Sequence, residues 1–376
     1  MPSLTDLIGN YFNLQNTIIE AKIAGKDADF GCDISSLEFD ASTNGEASIC
    51  TVRWISDCYT YDELELRESF SNVQIGAKFE VSAGYYGVDG SAYLAEIFSG
   101  FVFSFSLDIK DNVSYLEVSG MDAKLWMMAN KFTQFKSSEQ TYSKIVQDIE
   151  NKYSSKFSGA TIDIPSEPTS IRPGLHQNDE SDFDYLRRIA DITGSLFYVV
   201  DGEFMFTPIQ ANGYEQIVIE PICRINEEKF IKKVTFTSNI VGIPKSVSTS
   251  FTKDEEYNST TTSEVSSSSN IGSGSTADGL TNNISDNNII KIFDSSLNSP
   301  DCAKLVAQAE YSRRAVNLVK CEVVCEFLPD VKIGASAAMS GFGDIIDNEY
   351  IITSLNHKYD GNNFRTTIGL SSDAFS

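Results

Sequence analysis

Two histidines, His176 and His357, are the only imidazoles in the 376 residues. Neither lies in an HExxH or HxxEH frame, so the paired ligands of a helix-borne zinc site are missing. His176 stands on a polar loop, and His357 stands in an alternating stretch where an ordered interior histidine is the simpler reading. Acidic pairs such as Glu63/Glu65 and Asp182/Asp184 invite comparison with a glycosidase, which needs two carboxylates at a set separation across a groove. With 53 acidic residues in the chain, such neighbours arise from composition alone. No GxSxG, P-loop or GxGxxG segment is present, and Gly84–Gly90 and Gly341–Gly343 read as turns between strands. Seven cysteines stand at Cys32, Cys50, Cys58, Cys223, Cys302, Cys321 and Cys325, an odd and scattered set that suggests reduced thiols. Cys321 and Cys325 would share one face of a strand about 13 Å apart, at ~3.3 Å per residue, which suits buried thiols better than zinc ligands. The sequence thus offers no catalytic, cofactor-binding or metal-binding residue, and a non-enzymatic protein is expected.

Composition narrows the class further. The hydrophobic fraction is 41%, ordinary for a globular chain, and no apolar run approaches the roughly 20 residues that span a bilayer. The first ten residues, MPSLTDLIGN, lack a basic leader, so neither a membrane anchor nor a secretory signal is expected. Net charge is −24, from 29 basic and 53 acidic residues, which argues against broad or sequence-specific nucleic-acid binding.

The elements that must position any functional surface are mostly strands. Leu4, Leu7, Ile8 and Tyr11 predict a short amphipathic helix. Residues 17–120 then read as β, with runs such as SSLEFD, SICTVRW, KFEVSAGYY and YLAEIFSGFVFSFSLDI punctuated by Gly25, Gly76 and Asp89-Gly90. Asn44-Gly45 and Asp111-Asn112 are hairpin candidates. Asp122 is placed to cap a short helix through Leu125, Trp126 and Met128. Thr141 is placed to cap a longer one bearing Tyr142, Ile145, Ile149 and Tyr153 on one face. Residues 216–250 return to a β pattern. From Lys253 to about Asn288 the chain turns to Ser, Thr, Asn and Gly, and a flexible excursion is expected. Ser299 and Pro300 predict an N-cap and first helical residue, with Cys302, Leu305, Val306, Ala309 and Val316 on one face. Four strands follow: CEVVCEFL, ASAAMSG, EYIITSLNHKY and NFRTTIGL.

The most informative stretch is His176 to Val200. Ser181 with Asp184 makes an approximate capping box. Phe183, Leu186, Ile189 and Ala190 fall on one helical face, with Arg187 and Arg188 off it, free for a solvated surface or an intersubunit salt bridge. Gly194 follows the last apolar turn, where a left-handed residue is wanted. Leu196, Tyr198 and Val200 alternate as a strand. The acids of Asp179–Asp184 complement the helix dipole.

Gln177, Asp179 or Glu180, Asp182, Phe183, Leu186, Arg188, Ala190, Gly194 and Tyr198 together resemble the signature of phage-tail hub proteins. That family includes the T-even baseplate hub, the late control gene D proteins and the N-terminal part of VgrG. Ile75-Gly76, Phe98–Val102 and Leu116–Gly120 resemble the run that closes the family's first tube-like barrel. Tyr350-Ile351-Ile352-Thr353 and His357, followed by Phe364-Arg365-Thr366-Thr367, resemble its closing strands. Lys332-Ile333-Gly334 stands where the family usually shows a Pro-Gly pair.

The resemblance implies a mainly β fold: two tube-like β-barrel domains plus a small α/β domain. It divides the chain into 1–122 (helix and first barrel), 123–215 (α/β module), and 216–252 with 289–376 (second barrel). Residues 253–288 form the insertion. It further implies a structural, trimeric adaptor between a six-fold tail tube and a three-fold central spike in a contractile phage tail or R-type bacteriocin. The implied partners are the tube protein, a separate spike protein, other baseplate proteins and a tape-measure chain, and the implied location is the particle's baseplate. The signature residues, including Tyr350 and His357, are implied to be structural. The competing reading is a hub that binds or hydrolyses peptidoglycan through its α/β module.

Overall fold

The computed structural model describes residues 14–28, 30, 32–56, 70–87, 91–110, 113–136, 140–165, 167–169, 171, 174–210, 217–221, 224–225, 228–252, 260–266, 271–276, 289–294, 297 and 299–375. The helix expected at residues 4–12, Cys58, Cys223, the pair Glu63/Glu65 and the turn residues Asp89-Gly90 and Asp111-Asn112 lie outside them. The fold is mainly β with few helices, as the sequence patterns indicate.

The first part of the chain gives β1 (Leu14–Ile23), β2 (Lys26–Asp27), β3 (Asp33–Ser42), β4 (Ile49–Ser56), β5 (Lys78–Gly87), β6 (Ala92–Lys110) and β7 (Val113–Met121). The middle gives helix α1 (Lys124–Met128), β8 (Lys131–Gln134), α2 (Tyr142–Tyr153), β9 (Gly159–Ile162), β10 (Gln177–Ser181), α3 (Asp182–Thr193), β11 (Ser195–Val200) and β12 (Glu203–Pro208). The last part begins with β13 (Ile217–Ile219), β14 (Arg224–Ile225), β15 (Glu228–Lys229), β16 (Ile231–Ser238) and β17 (Ser246–Thr252). It continues with β18 (Thr260–Ser266), β19 (Ser275–Thr276), β20 (Ile289–Phe293), α4 (Pro300–Ala315), β21 (Val319–Glu326), β22 (Ser336–Met339), β23 (Glu349–Tyr359), β24 (Phe364–Ser372) and β25 (Ala374–Phe375).

One sheet runs β16-β21-β24-β23-β3-β4-β7-β6-β5-β1-β2, with β22 and β13 attached beside β23. Two sets of six strands are visible in it. The first has the order β3-β4-β7-β6-β5-β1, and the second has β16-β21-β24-β23-β22-β13. Taken in chain order, the two sets have the same connectivity. Their bulges coincide as well. The β3–β4 ladder shifts between Ile34 and Ser36, and the β16–β21 ladder shifts between Ile231 and Lys233. The β6–β7 ladder shifts between Val102 and Ser104, and the β23–β24 ladder shifts between Ile352 and Ser354. Only the last strand differs, since β1 runs antiparallel to β5 whereas β13 runs parallel to β22. Following the ladders across, Phe39 corresponds to Phe236, Cys50 to Cys321, and Leu107 to His357. The two sets meet where β23 pairs with β3 over Ser354–Tyr359.

Alternation explains the packing. Along β7, Leu116 and Val118 are buried between half-buried Tyr115, Glu117 and Ser119, and along β21 Cys321, Val323 and Cys325 face the same core. These cysteines are buried free thiols, as their spacing suggests. Burial pushes Cys321 up to about 11, so it stays a protonated thiol. A second core holds the α/β module, around Tyr142, Ile145, Ile149, Leu186, Ile189, Phe197 and Phe206. Helix α4 is buried on more than one flank: Leu305 joins the module core, while Ala307, Tyr311 and Ala315 pack with Val247 of β17. A helix covered on two sides does not need a single apolar stripe.

One expectation is corrected. The stretch 253–288 is not all coil, because Thr260–Ser266 pairs with β17 along its length and Ser275-Thr276 pairs with β25. The threonines and Val265 suit a strand despite the low-complexity look. Asn44-Gly45 does lie in a hairpin, since β3 and β4 pair antiparallel across the six-residue loop 43–48, with Gly45 at φ +87°.

Candidate functional site

The signature segment forms a polar lock. Ser181 caps α3, its hydroxyl accepting the Asp184 N–H at 3.0 Å, and Gly194 ends the helix in the left-handed region at φ 66°. Gly194 also admits α4. A Cβ there would stand 2.6 Å from Ala309 Cα, so the close approach of α3 to α4 requires glycine. Asp182 is fully buried at the first position of α3. Its carboxylate accepts from Gln177 Nε2 at 2.9 Å, Tyr153 Oη at 2.8 Å and Lys152 Nζ at 3.2 Å. These contacts tie the end of α2 to the start of α3. Arg188 pairs with Glu180 and donates to the His176 carbonyl at 2.7 Å, so this cation is used within the chain. Arg187 is exposed. Phe183, Leu186 and Ala190 are buried in the module core, while Tyr198 faces the large sheet core from β11. The signature residues thus hold helix, strand and sheet together.

Two lysines weld the module to the sheets. Lys124 is fully buried, donates to the Glu46 carbonyl at 2.6 Å and lies 3.8 Å from Asp122 and 5.0 Å from the Phe197 ring centre. Burial lowers its pKa, against the pull of Asp122 and Glu46. Asp122 accepts from the backbone of Ser48 at 2.8 Å and Lys124 at 2.9 Å, so it braces the entry to α1 from one residue outside the cap. Lys332, which departs from the Pro-Gly pattern, bridges Asp201 of the β11–β12 turn at 2.6 Å and the Glu96 carbonyl of β6 at 3.2 Å. Sequence reading missed Lys152, Lys124 and Lys332, because nothing local tells which distant acid or carbonyl each reaches.

The two histidines do different work. His176 stacks on Phe135 at 4.1 Å and its Nδ1 accepts the Lys136 N–H at 3.1 Å. His357 is 1% exposed at the join between the two strand sets. Its ring stacks on Phe39 of β3 at 5.6 Å, meets Phe327 edge-on at 5.1 Å, and places Nδ1 2.9 Å from Thr366 Oγ1. Burial, with a smaller push from Lys332, lowers its pKa to about 3, so it is neutral at physiological pH. Tyr350 is buried at the other end of β23 and donates to the Ile346 carbonyl at 2.8 Å. Among the described residues no group of three His, Cys, Asp or Glu side chains is arranged to hold a metal.

The third feature is a surface. The run β16-β21-β24-β23-β3-β4-β7-β6 turns one face to the core. The other face carries Thr235, Lys320, Glu322, Ser354, Asp40, Glu38, Ser106 and Asp108, all exposed. Charges on this face pair across strands: Lys358 with Glu38 at 3.2 Å, Lys233 with Glu322 at 3.5 Å, and Arg53 with Asp108 at 3.9 Å. No helix among the described residues is long and apolar enough to cross a membrane.

Solved structures share this fold. The 43 kDa tail protein of prophage MuSo2 from Shewanella oneidensis is 13% identical, with 96% of this chain and 100% of that one covered at a TM-score of 0.63. The tail protein from Neisseria meningitidis MC58 is 10% identical, with 95% and 97% covered at 0.65. The E. coli c3393 protein is 9% identical, with 96% and 79% covered at 0.54. It is described as a component of the type VI secretion system with structural similarity to the T4 bacteriophage tail proteins gp27 and gp5. No curated protein matches the chain in sequence. The family model described as the Alg8 N-terminal domain matches residues 59–360, most of the 376. The chain therefore belongs to the Alg8 N-terminal domain family.

Proposed function

We propose that the protein is a structural hub of a contractile tail or related injection particle, a homotrimer that joins a six-fold tail tube to a three-fold central spike. The observation that carries this reading is the duplication: two strand sets of one connectivity, with coincident bulges, joined side by side in one chain. A duplicated unit lets three chains present six similar surfaces, which is what a six-to-three adaptor requires. The likeness in fold to two tail proteins and to the c3393 protein supports the same role. The partners that follow are the tube protein, the spike, neighbouring baseplate proteins and the tape-measure chain, and the location is the particle's baseplate.

In this reading the eight-strand polar face lines the axial channel. Three chains at −24 each carry −72, which by itself suggests a repulsive lumen. The cross-strand ion pairs on this face instead make the lining mixed in charge and rich in hydroxyls. The domain plan follows the strand sets, with the module over 123–215 as a brace between them. A peptidoglycan hydrolase or wall-binding hub is the competing reading, and the polar lock at Asp182 argues against it. Its carboxylate is consumed by Lys152, Tyr153 and Gln177 in a buried site that no polymer reaches. The test is co-purification: in particles sheared from producing cells the protein should sediment with tails. A protein found only in the unassembled fraction refutes the hub reading.

A further inference from the structure

Where the α/β module meets the polar face of the second strand set, the chain forms a cleft of about 690 Å³. That size falls in the range of roughly 300–1,000 Å³ found for ligand sites. One wall is built by the ends of α3 and α4, with Arg187, Asp191, Arg313 and Asn317. The floor is the polar face of β16, β21 and β24, with Thr235, Thr237, Lys320 and Ser371. The β3–β4 loop lines the same cleft through Asn44 and Gly45.

The charges in this cleft run against those of the whole chain, which carries 53 acidic residues and 29 basic ones. Among the described residues that line it, the cations are Arg187, Arg313 and Lys320, and the acids are Asp191 and Glu322. Both acids are already partnered, Asp191 by Arg313 at 3.7 Å and Glu322 by Lys233 at 3.5 Å. Arg187 and Lys320 make no ion pair among the described residues. Arg187 is nonetheless held in place by packing. A Cβ on Gly45 would stand 3.7 Å from Arg187 Cγ and 3.8 Å from its Cδ, so the loop lies along the apolar stem of this side chain. Lys320 stands between two hydroxyl residues, Thr237 and Ser371, its neighbours across the ladders.

We infer that this cleft binds a short acidic peptide segment of another protein. Two carboxylates of the segment meet Arg187 and Lys320, and its backbone meets the hydroxyls of the floor. Hydroxyls both donate and accept, as an extended backbone requires. Helices α3 and α4 both end at the cleft, so their carbonyl ends add partial negative charge to the wall. That favours N–H groups placed beside the carboxylates and disfavours a chain of phosphates, as does the net charge of −24. The site is complete within one chain, so the inference stands apart from the hub reading. Under that reading the cleft lies on the channel wall.

Fluorescence anisotropy on the full-length protein tests it, with a fluorescein-labelled peptide of alternating Glu and Ser as the probe. Saturable binding with a Kd below about 1 mM is expected, weakening as salt is added. R187Q/K320Q should weaken it about tenfold. T235W, which fills the floor and leaves both cations in place, should weaken it as well. R53Q/K358Q removes two cations from the same polar face outside the cleft and should leave the Kd within about twofold. Absence of saturation overturns the inference, as does equal weakening by R53Q/K358Q. So does binding of the matching Gln and Ser peptide, or of a single-stranded oligothymidylate, as tight as that of the acidic probe. Co-purification with tails tests the hub reading separately, so the failure of one is distinguishable from the failure of the other.

Discussion

His357 makes the join between the strand sets sensitive to acid, and the size of the effect follows from its burial. The imidazole has an ordinary value of 6.5 and is lowered to about 3 in the fold, first by desolvation and then by Lys332. A depressed value means that the unfolded chain binds the proton first. The stability this histidine contributes is present above pH 6.5 and is lost progressively as pH falls from there towards about 3. At pH 4.5 the unfolded state has gained two units of protonation free energy, about 3 kcal/mol. The replacement His357→Leu uses the residue that the chain itself carries at the corresponding position, Leu107. It leaves the Thr366 hydroxyl still accepting from the Leu328 N–H at 2.9 Å but without the imidazole, a loss of about 1–3 kcal/mol at pH 7.5. Urea unfolding followed by tryptophan fluorescence at pH 7.5 and 4.5 reads both effects, since Trp54 is buried in the same core. The variant should lose about 3 kcal/mol less than wild type between the two pH values. Equal losses in both proteins would refute the argument that this ring is held neutral at the join.

Three further outcomes follow from the lock and its surroundings. Leu186→Asp puts a carboxylate at a position with no exposure and should cost about 4 kcal/mol or more, seen as loss of the module's transition in thermal melts. Gly194→Ala meets both a left-handed backbone and the α4 backbone, and should lower stability by about 2–4 kcal/mol by the same measurement, against a smaller loss of about 1–2 kcal/mol for Gly174→Ala, which shares the left-handed backbone at φ +79° but has no atom within 4 Å of the new Cβ. Purified protein on cell-wall zymograms, with and without divalent cations, should leave no clearing, and a cleared band would revive the hydrolase reading.

Local chemistry made much of this molecule legible. Ser181, Thr141 and Ser299 were readable as caps because N-cap preference is a short-range effect, and each hydroxyl accepts the expected N–H. Cys321 and Cys325 were readable as one-faced because strand periodicity fixes it. The duplication was hidden, since the matched positions share little beyond Ile34/Ile231, Phe39/Phe236, Cys50/Cys321, Val52/Val323 and Ser104/Ser354. What repeats is ladder order and bulge position, which are properties of backbone pairing. The join itself links His357 to Phe39, residues more than 300 apart, and no local pattern encodes such a pairing. The strand Thr260–Ser266 was lost to composition, because Ser and Thr repeats resemble a linker until a neighbouring strand is present to pair with them. Of the signature residues, Leu186 and Ala190 could be placed by helical spacing. The role of Asp182 depends on Lys152 and Tyr153 from another helix and could not.

The central claim is that a duplicated fold serves as a symmetry adaptor, and imaging the particle tip tests it most directly. Cryo-electron microscopy of the assembled tail, processed without imposed symmetry, should show three copies of this chain between a six-fold tube and a three-fold spike, arranged around an axial channel. Six copies in that layer, or a single copy on the outside of the tail, would contradict it.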